Sequence, residues 1–538
     1  MKKVFRILIA MLILGSCLLS ACKEAVEPTE VEAGEEQEAA EPEAEDSEEE
    51  EEAAEAEETP SRTDLNLALE AVGATMDPHI QGLTVDQRVG FQIYEGLLFA
   101  NEKTSELSPR LAEDYSISDD GLVYTFYLRD DVLFHNGDPL KASDVVFSYL
   151  RAMEAVQMEK YTNKIVDVVA LDDLTVEITL TEPYYPFLYY TSMIKVINER
   201  AVTEAGELFG AIPTDSGTGA YRLVEYEPST KIVLEAFSDY YRGEPTIKDV
   251  TFNVIVDKST ALVAFQNGEI DFLEVPVANW EEIESSGMYT TETVETGHIT
   301  YLALNVGQDG PLADQLVRQA INYAIDKQAV IDIVFSGMAT VADHEIKPGM
   351  YSGAPETDFV YEYNPEKARE LLAEAGYPDG VDIGQIQAAP ATYQMVAEVL
   401  QAQLAEVGIT AEVLKGDLSA MVVDWRAGNY DALCCAYTPA FSYEYRRNRI
   451  HSTIENAFMK FWQNDDCDHE YIDNIMDTAA AELDEEVRNA LYLELEEYIL
   501  ELGAYVPLKY SERAFAWDQT LNAETYLNLF DIYDWSWN

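Results

Sequence analysis

The sequence predicts an α/β protein of two lobes with a cleft between them, and three observations carry that prediction. Beyond residue 62, stretches of period-two hydrophobicity alternate with amphipathic helical stretches. The 538 residues suffice for two or three domains, and a hydrophobic content of 47% is ordinary for a folding body. No repeat at solenoid or propeller spacing offers a competing architecture.

Taken in order, the first 22 residues read as an export segment. Lys2, Lys3 and Arg6 form a positive start, and the apolar run 7–14 is too short to span a bilayer. It ends in Leu19-Ser20-Ala21-Cys22, which resembles the bacterial lipobox, where the cysteine is lipidated and becomes the mature N-terminus. An acylated Cys22 would hold the chain on the outer face of the cell membrane, or on the periplasmic side of a membrane. Residues 23–62 follow as an acidic tether, with 19 of the 101 acidic residues falling between 23 and 60. So few large apolar side chains cannot offset the entropy of ordering, and spacing is the expected role.

Only 34 basic residues oppose those acids, for a formal charge of −67. A phosphate backbone would be repelled, so nucleic acid is excluded as a partner. Of five cysteines, Cys434, Cys435 and Cys467 lie in the body. They are no disulfide framework, although one bridge from Cys467 to either neighbour stays open. The six histidines stand at no metal-ligand spacing, so neither a metal nor a cofactor is expected.

The body opens with a strand through Leu65, Leu67 and Leu69, then a helical GFQIYEGLL. Strands are predicted at 123–128 and 174–180, with a turn at Asn136-Gly137 between them. Ser143 is the expected N-cap of a helix burying Val146, Tyr149, Leu150 and Met153. Gly217 and Gly219 bracket a turn before strands at 221–224, 232–236 and 250–256. Ser259 is then expected to cap a helix that Gly268 closes. Further on the pattern predicts a strand over 298–306, one long helix over 311–335, and a helix started by Asn364-Pro365. A helix over 392–407, a strand over 409–414, helices at 470–481 and 484–502, and a returning strand at 506–510 complete the chain.

Several of these stretches carry recognisable wording. GTGAYRL, IVLE followed by DYYRG, and NGEIDF occur in that order between Ile212 and Phe272. Met76-Asp77-Pro78, Tyr94-Glu95-Gly96-Leu97 and the run Gly137, Pro139, Ala142, Asp144, Val145, Val146, Ser148 precede them. Together they resemble the extracytoplasmic solute-binding proteins of peptide-type ABC importers, solute-binding family 5, over about residues 63–538. The resemblance implies a two-lobe periplasmic-binding-protein-like fold with an extra inserted domain. Domain I would comprise residues 63–96, 212–298 and 504–538, domain II the insertion 97–211, and domain III the opposite lobe 299–503. Crossings near 296–300 and 503–506 would serve as hinges.

The resemblance also implies the function: a monomeric, membrane-anchored receptor that captures a solute, an oligopeptide first of all, for an ABC permease and ATPase. Many relatives hold the peptide's amino group with an aspartate in a loop after a strand like Tyr430–Tyr437. Here that place falls on Ala440, which leaves Glu444 as the one candidate substitute. Tyr437, Thr438, Phe441 and Tyr443 make the loop aromatic and polar, suited to stacking on a cargo. Thr84, Val85, Tyr301, Asn305 and Leu418 stand where relatives place further cleft contacts. An oligosaccharide or another small solute is the alternative cargo, and a surface-anchored hydrolase or a signalling receptor the alternative class. No Gly-x-Ser-x-Gly elbow, zinc helix or phosphate loop supports an enzyme, so no catalytic residue is assigned.

Overall fold

The computed structural model describes residues 62–538, apart from 72, 74, 82–83, 105, 308–309, 349–354, 439–442, 455–458, 461–462, 465–466, 526, 528 and 530. The export segment with Cys22 and most of the tether therefore lie outside the described residues.

One mixed sheet runs through the body. In spatial order its strands are Ile409–Lys415, Val381–Ala388, Ala432–Tyr437, Tyr289–Leu304, Tyr505–Asp518, Phe272–Glu274, Asp64–Leu69, Asp249–Val254, Lys231–Ala236 and Tyr221–Glu227, with Ala339–Val341 pairing on Tyr505–Asp518 off this path. The crossing strand Tyr289–Leu304 and the returning strand Tyr505–Asp518 pair along most of their length. Their register jumps between the pairs Glu295/Glu512 and Ile299/Tyr510, so that residues 296–298 oppose Ser511 alone. An insertion of this kind bends and twists a strand. Thr296 Oγ1 donates to the Ser511 carbonyl at 3.0 Å inside the irregularity.

A second, antiparallel sheet is built by Ala112–Ile117, Val123–Leu128, Thr175–Leu180 and Ile165–Ala170. It encloses its own core of Tyr124, Phe126, Val145, Tyr149, Val176 and Ile178. Another core, around Leu302, Val317, Ile321, Ile386, Leu400 and Leu404, lies under the helices of the 300–500 region.

The GTGAYRL turn shows why its glycines are needed. A Cβ on Gly217 would stand 2.1 Å from the Ile93 carbonyl oxygen, and one on Gly219 2.4 Å from that of Gln92. The same turn accepts from His135 N–H through the Gly217 carbonyl at 2.8 Å. Three stretches distant in sequence are thus clamped backbone to backbone, which makes the motif architectural.

Several local expectations shift. The first helix is Thr84–Ile93, and 94–97 is irregular. Gly96 comes so close to the Thr191 carbonyl that no side chain would fit. The helix Ala142–Glu154 has Lys141 at its N-cap, with Asp144 accepting from the Lys141 backbone. It buries Val145, Ser148, Tyr149 and Ala152 while Leu150 is exposed, a face rotated from the expected one because the strand Ile165–Ala170 takes that side. Asp257, not Ser259, caps Lys258–Gln266 through a 2.8 Å bond from Thr260 N–H. The expected helix 311–335 is two, Gln315–Tyr323 and Lys327–Phe335. Asp326 caps the second, and Lys327 Nζ reaches the Ala342 carbonyl and the Asp343 carboxylate, at 2.9 and 2.8 Å. At Asp257 and Asp326 a short acidic side chain fixes the helix start, which the apolar period does not mark.

Candidate functional site

The crossing strand lies between Ala432–Tyr437 on one edge and Tyr505–Asp518 on the other. The first pairing sets Tyr301 opposite Cys435 and Ile299 opposite Tyr437. Residues two apart share a sheet face, so Tyr301 and Tyr437 become diagonal neighbours. Their rings meet edge to face, with centroids 5.9 Å apart at 86°. The Arg449 guanidinium covers both, 4.1 Å from the Tyr437 ring centre and 4.9 Å from that of Tyr301. It also donates to the Tyr301 hydroxyl.

Arg449 belongs to a buried charge network. Glu345 pairs with Arg449 at 2.9 Å and with Arg446 at 3.0 Å. Arg446 also pairs with Glu496 and donates to the Tyr505 hydroxyl. Tyr443 accepts from Arg446 and donates to Glu496, both at 2.6 Å. The side chains of Arg446, Glu345 and Glu496 are at most 1% exposed. Burial would push Glu496 upward, but Arg446, helped by His344 and Tyr443, holds its carboxyl down at about 2. Burial works against Arg446 as well, and Glu496 with its other partners raises it well above the ordinary range. Two cations thus meet two anions, and the network is neutral by itself.

Thr438, exposed at the end of the strand, hydrogen-bonds His298 Nδ1 at 2.9 Å, and Tyr393 lies 3.3 Å from the other ring nitrogen. Burial, with Lys509 and Arg513 adding to it, lowers His298 to about 4, so the ring is neutral at pH 7. The three described cysteines are all buried. Burial pushes the Cys435 thiol up to about 11, which removes it as a nucleophile at neutral pH. Among the described residues no cluster of His, Cys, Asp and Glu could hold a metal ion.

Of the residues singled out from sequence, Tyr301, Tyr437, Thr438 and Tyr443 come together at the two flanks of 439–442. Ala440 and Phe441 lie outside the described residues, as does the side chain of Glu444. Tyr443 is wholly buried against Tyr492 and gives its hydroxyl to the charge network. Asn305 spends its amide on the turn before the strand, donating to the carbonyls of Gly428 and Tyr430 at 2.9 and 2.6 Å. Leu418 opens the helix Leu418–Ala427 and is exposed. Thr84 opens the first helix, and Val85 beside it is half-buried. Sequence reasoning missed Arg446, Arg449, Glu345 and Glu496. The available signal was the basic run Arg446-Arg447-Asn448-Arg449 in an otherwise acidic chain.

Residues 106–445 match the family model described as "Bacterial extracellular solute-binding proteins, family 5 Middle". The chain is 35% identical over 365 residues to the glutathione-binding protein GsiB of Pectobacterium atrosepticum, covering 65% of this chain and 69% of that protein. Among solved structures, HbpA2 from Haemophilus parasuis superposes with a TM-score of 0.79 at 25% identity, over 88% of this chain and all of that one. The periplasmic binding protein DppA from Helicobacter pylori, in complex with the peptide STSA, gives 0.68 at 25% identity, over 89% of this chain and 98% of that one. GsiB and DppA are thus binding proteins by their descriptions, and DppA is described as ABC transporter-associated.

Proposed function

Because the chain belongs to the bacterial extracellular solute-binding proteins of family 5, we propose that it captures a short peptide between its lobes and delivers it to an ABC permease and ATPase. In this reading Cys22 carries the lipid anchor, residues 23–62 space the receptor from the membrane, and the receptor acts as a monomer. The division into residues 63–96, 212–298 and 504–538, the insertion 97–211 and the opposite lobe 299–503 belongs to the same reading. It is supported by the separate cores of the second sheet and of the 300–500 region.

The observation that carries the peptide assignment is the Tyr301–Tyr437–Arg449 floor, with both neighbouring carboxylates already paired to arginine. A neutral floor suits a cargo held by its backbone amides and by aromatic contact. It offers an ammonium no uncommitted carboxylate among the described residues, so a blocked N-terminus should be tolerated. Tyr301 and Tyr437 meet edge to face under a guanidinium, an arrangement that leaves no broad open platform and disfavours an oligosaccharide. The test is isothermal titration with tri- to pentapeptides, free and N-acetylated, with glutathione, and with cello- and xylo-oligosaccharides. Peptide binding that changes less than threefold on acetylation supports the reading. A loss above ~2 kcal/mol would reveal an ammonium clamp, and binding of sugars alone would overturn the peptide assignment.

A further inference from the structure

A cavity of about 510 Å³ lies on the far side of the helix that carries the charge network, between the 97–211 region and the 300–500 region. Its volume is that of a pocket for a small organic ligand. Arg446 and Arg449 are buried in the network, whereas Arg447 on the same short helical stretch faces this cavity together with His451. The opposite wall is aromatic. Tyr161 and Tyr190 meet edge to face at 5.3 Å, and the hydroxyls of Tyr184 and Tyr190 are 3.3 Å apart. Both regions are tied together beside it, since Tyr185 N–H donates to the Ala480 carbonyl at 2.9 Å.

The charges of the lining are unusual for so acidic a protein: Lys160, Lys164 and Arg447 against Glu182 and Asp477. Lys164 pairs with Glu182, and Arg447 with Asp477. Lys160 has no carboxylate partner among the described residues, and its ammonium lies 4.6 Å from the Tyr161 ring centre. His451 adds no charge at neutral pH, because burial and Arg447 lower it. One surplus cation stands against an aromatic wall, inside a field that otherwise repels anions. A single surplus charge matches a monoanion and not a phosphate dianion, and the rings match an apolar or aromatic body.

We propose that this pocket binds a carboxylate attached to an apolar or aromatic group, with Lys160 as its counter-ion. That carboxylate has two sources, the C-terminus of the captured peptide or a separate organic acid. The first rests on the peptide reading given above, and the second does not.

The experiment is titration of the wild type, Lys160→Gln and Lys160→Glu with two probes. One is an N-acetylated tripeptide ending in tyrosine, as the free acid and as the C-terminal amide. The other is 4-hydroxyphenylacetate. Lys160 is exposed, so both variants should fold, which circular dichroism would check. If the peptide supplies the group, the wild type prefers the free acid at least tenfold, Lys160→Gln abolishes the preference and Lys160→Glu reverses it. If an organic acid is the ligand, 4-hydroxyphenylacetate saturates the wild type without displacing peptide, and both variants weaken it at least tenfold. A preference for the free acid that survives in both variants overturns the proposal. So does peptide binding indifferent to amidation together with no uptake of 4-hydroxyphenylacetate, an outcome that leaves the peptide reading standing. Binding of 4-hydroxyphenylacetate without any peptide binding sinks the peptide reading and keeps the pocket.

Discussion

Replacing Glu496 with glutamine keeps its size and an acceptor for Tyr443 while removing the charge that faces Arg446. The carboxyl sits at about 2 in the folded protein against an ordinary value of 4.5. A depressed carboxylate contributes stability that is fully present above the unfolded value and is lost as pH falls through the folded one. Two and a half units correspond to ~3 kcal/mol at pH 7, falling to roughly 1.4 kcal/mol at pH 3 and to near zero below pH 2. Breaking a buried ion pair from one side independently suggests about 3–5 kcal/mol. Urea unfolding followed by tryptophan fluorescence, from pH 7 to pH 3, should therefore show Glu496→Gln less stable by ~3 kcal/mol at neutral pH. The gap to wild type should at least halve at pH 3. A gap below ~1 kcal/mol at pH 7, or one that does not change with pH, would refute the charge pairing as the source of the stability.

Gly217→Ala should cost about 2–3 kcal/mol, because its methyl carbon would overlap the Ile93 carbonyl; an unchanged melting temperature would contradict the close approach. Arg488 is buried, with its guanidinium 3.5 Å from the Tyr185 ring centre across the two regions. A double-mutant cycle of Arg488→Met and Tyr185→Leu should give a coupling of ~1–2 kcal/mol, and a value under ~0.3 kcal/mol would show the stacking to be idle. Cys22→Ala should shift the protein from the membrane to the soluble fraction or stop its maturation; unchanged acyl labelling would exclude Cys22 as the anchor.

What the sequence determined by itself is what depends on neighbours along the chain. Leu65, Leu67 and Leu69 alternate as a strand must, Asn364-Pro365 starts its helix, and Gly268, Gly376, Gly408 and Gly503 end theirs with positive φ. These follow from local sterics and from the period of burial. The order of the family's motifs added the expectation of a discontinuous first domain, which periodicity could not supply, since nothing local says that the strand Asp64–Leu69 pairs with Asp249–Val254. Tertiary structure alone decided the charge network. Glu345, Arg446, Arg449 and Glu496 come from three separate stretches, and among 101 acidic residues no pattern marks the two that lie buried against arginine. It also decided that Tyr443 points inward while Arg447 faces a cavity. The side a residue takes on so short a helical stretch depends on what packs against it, and that is fixed by distant segments whose contact energies a local pattern does not contain.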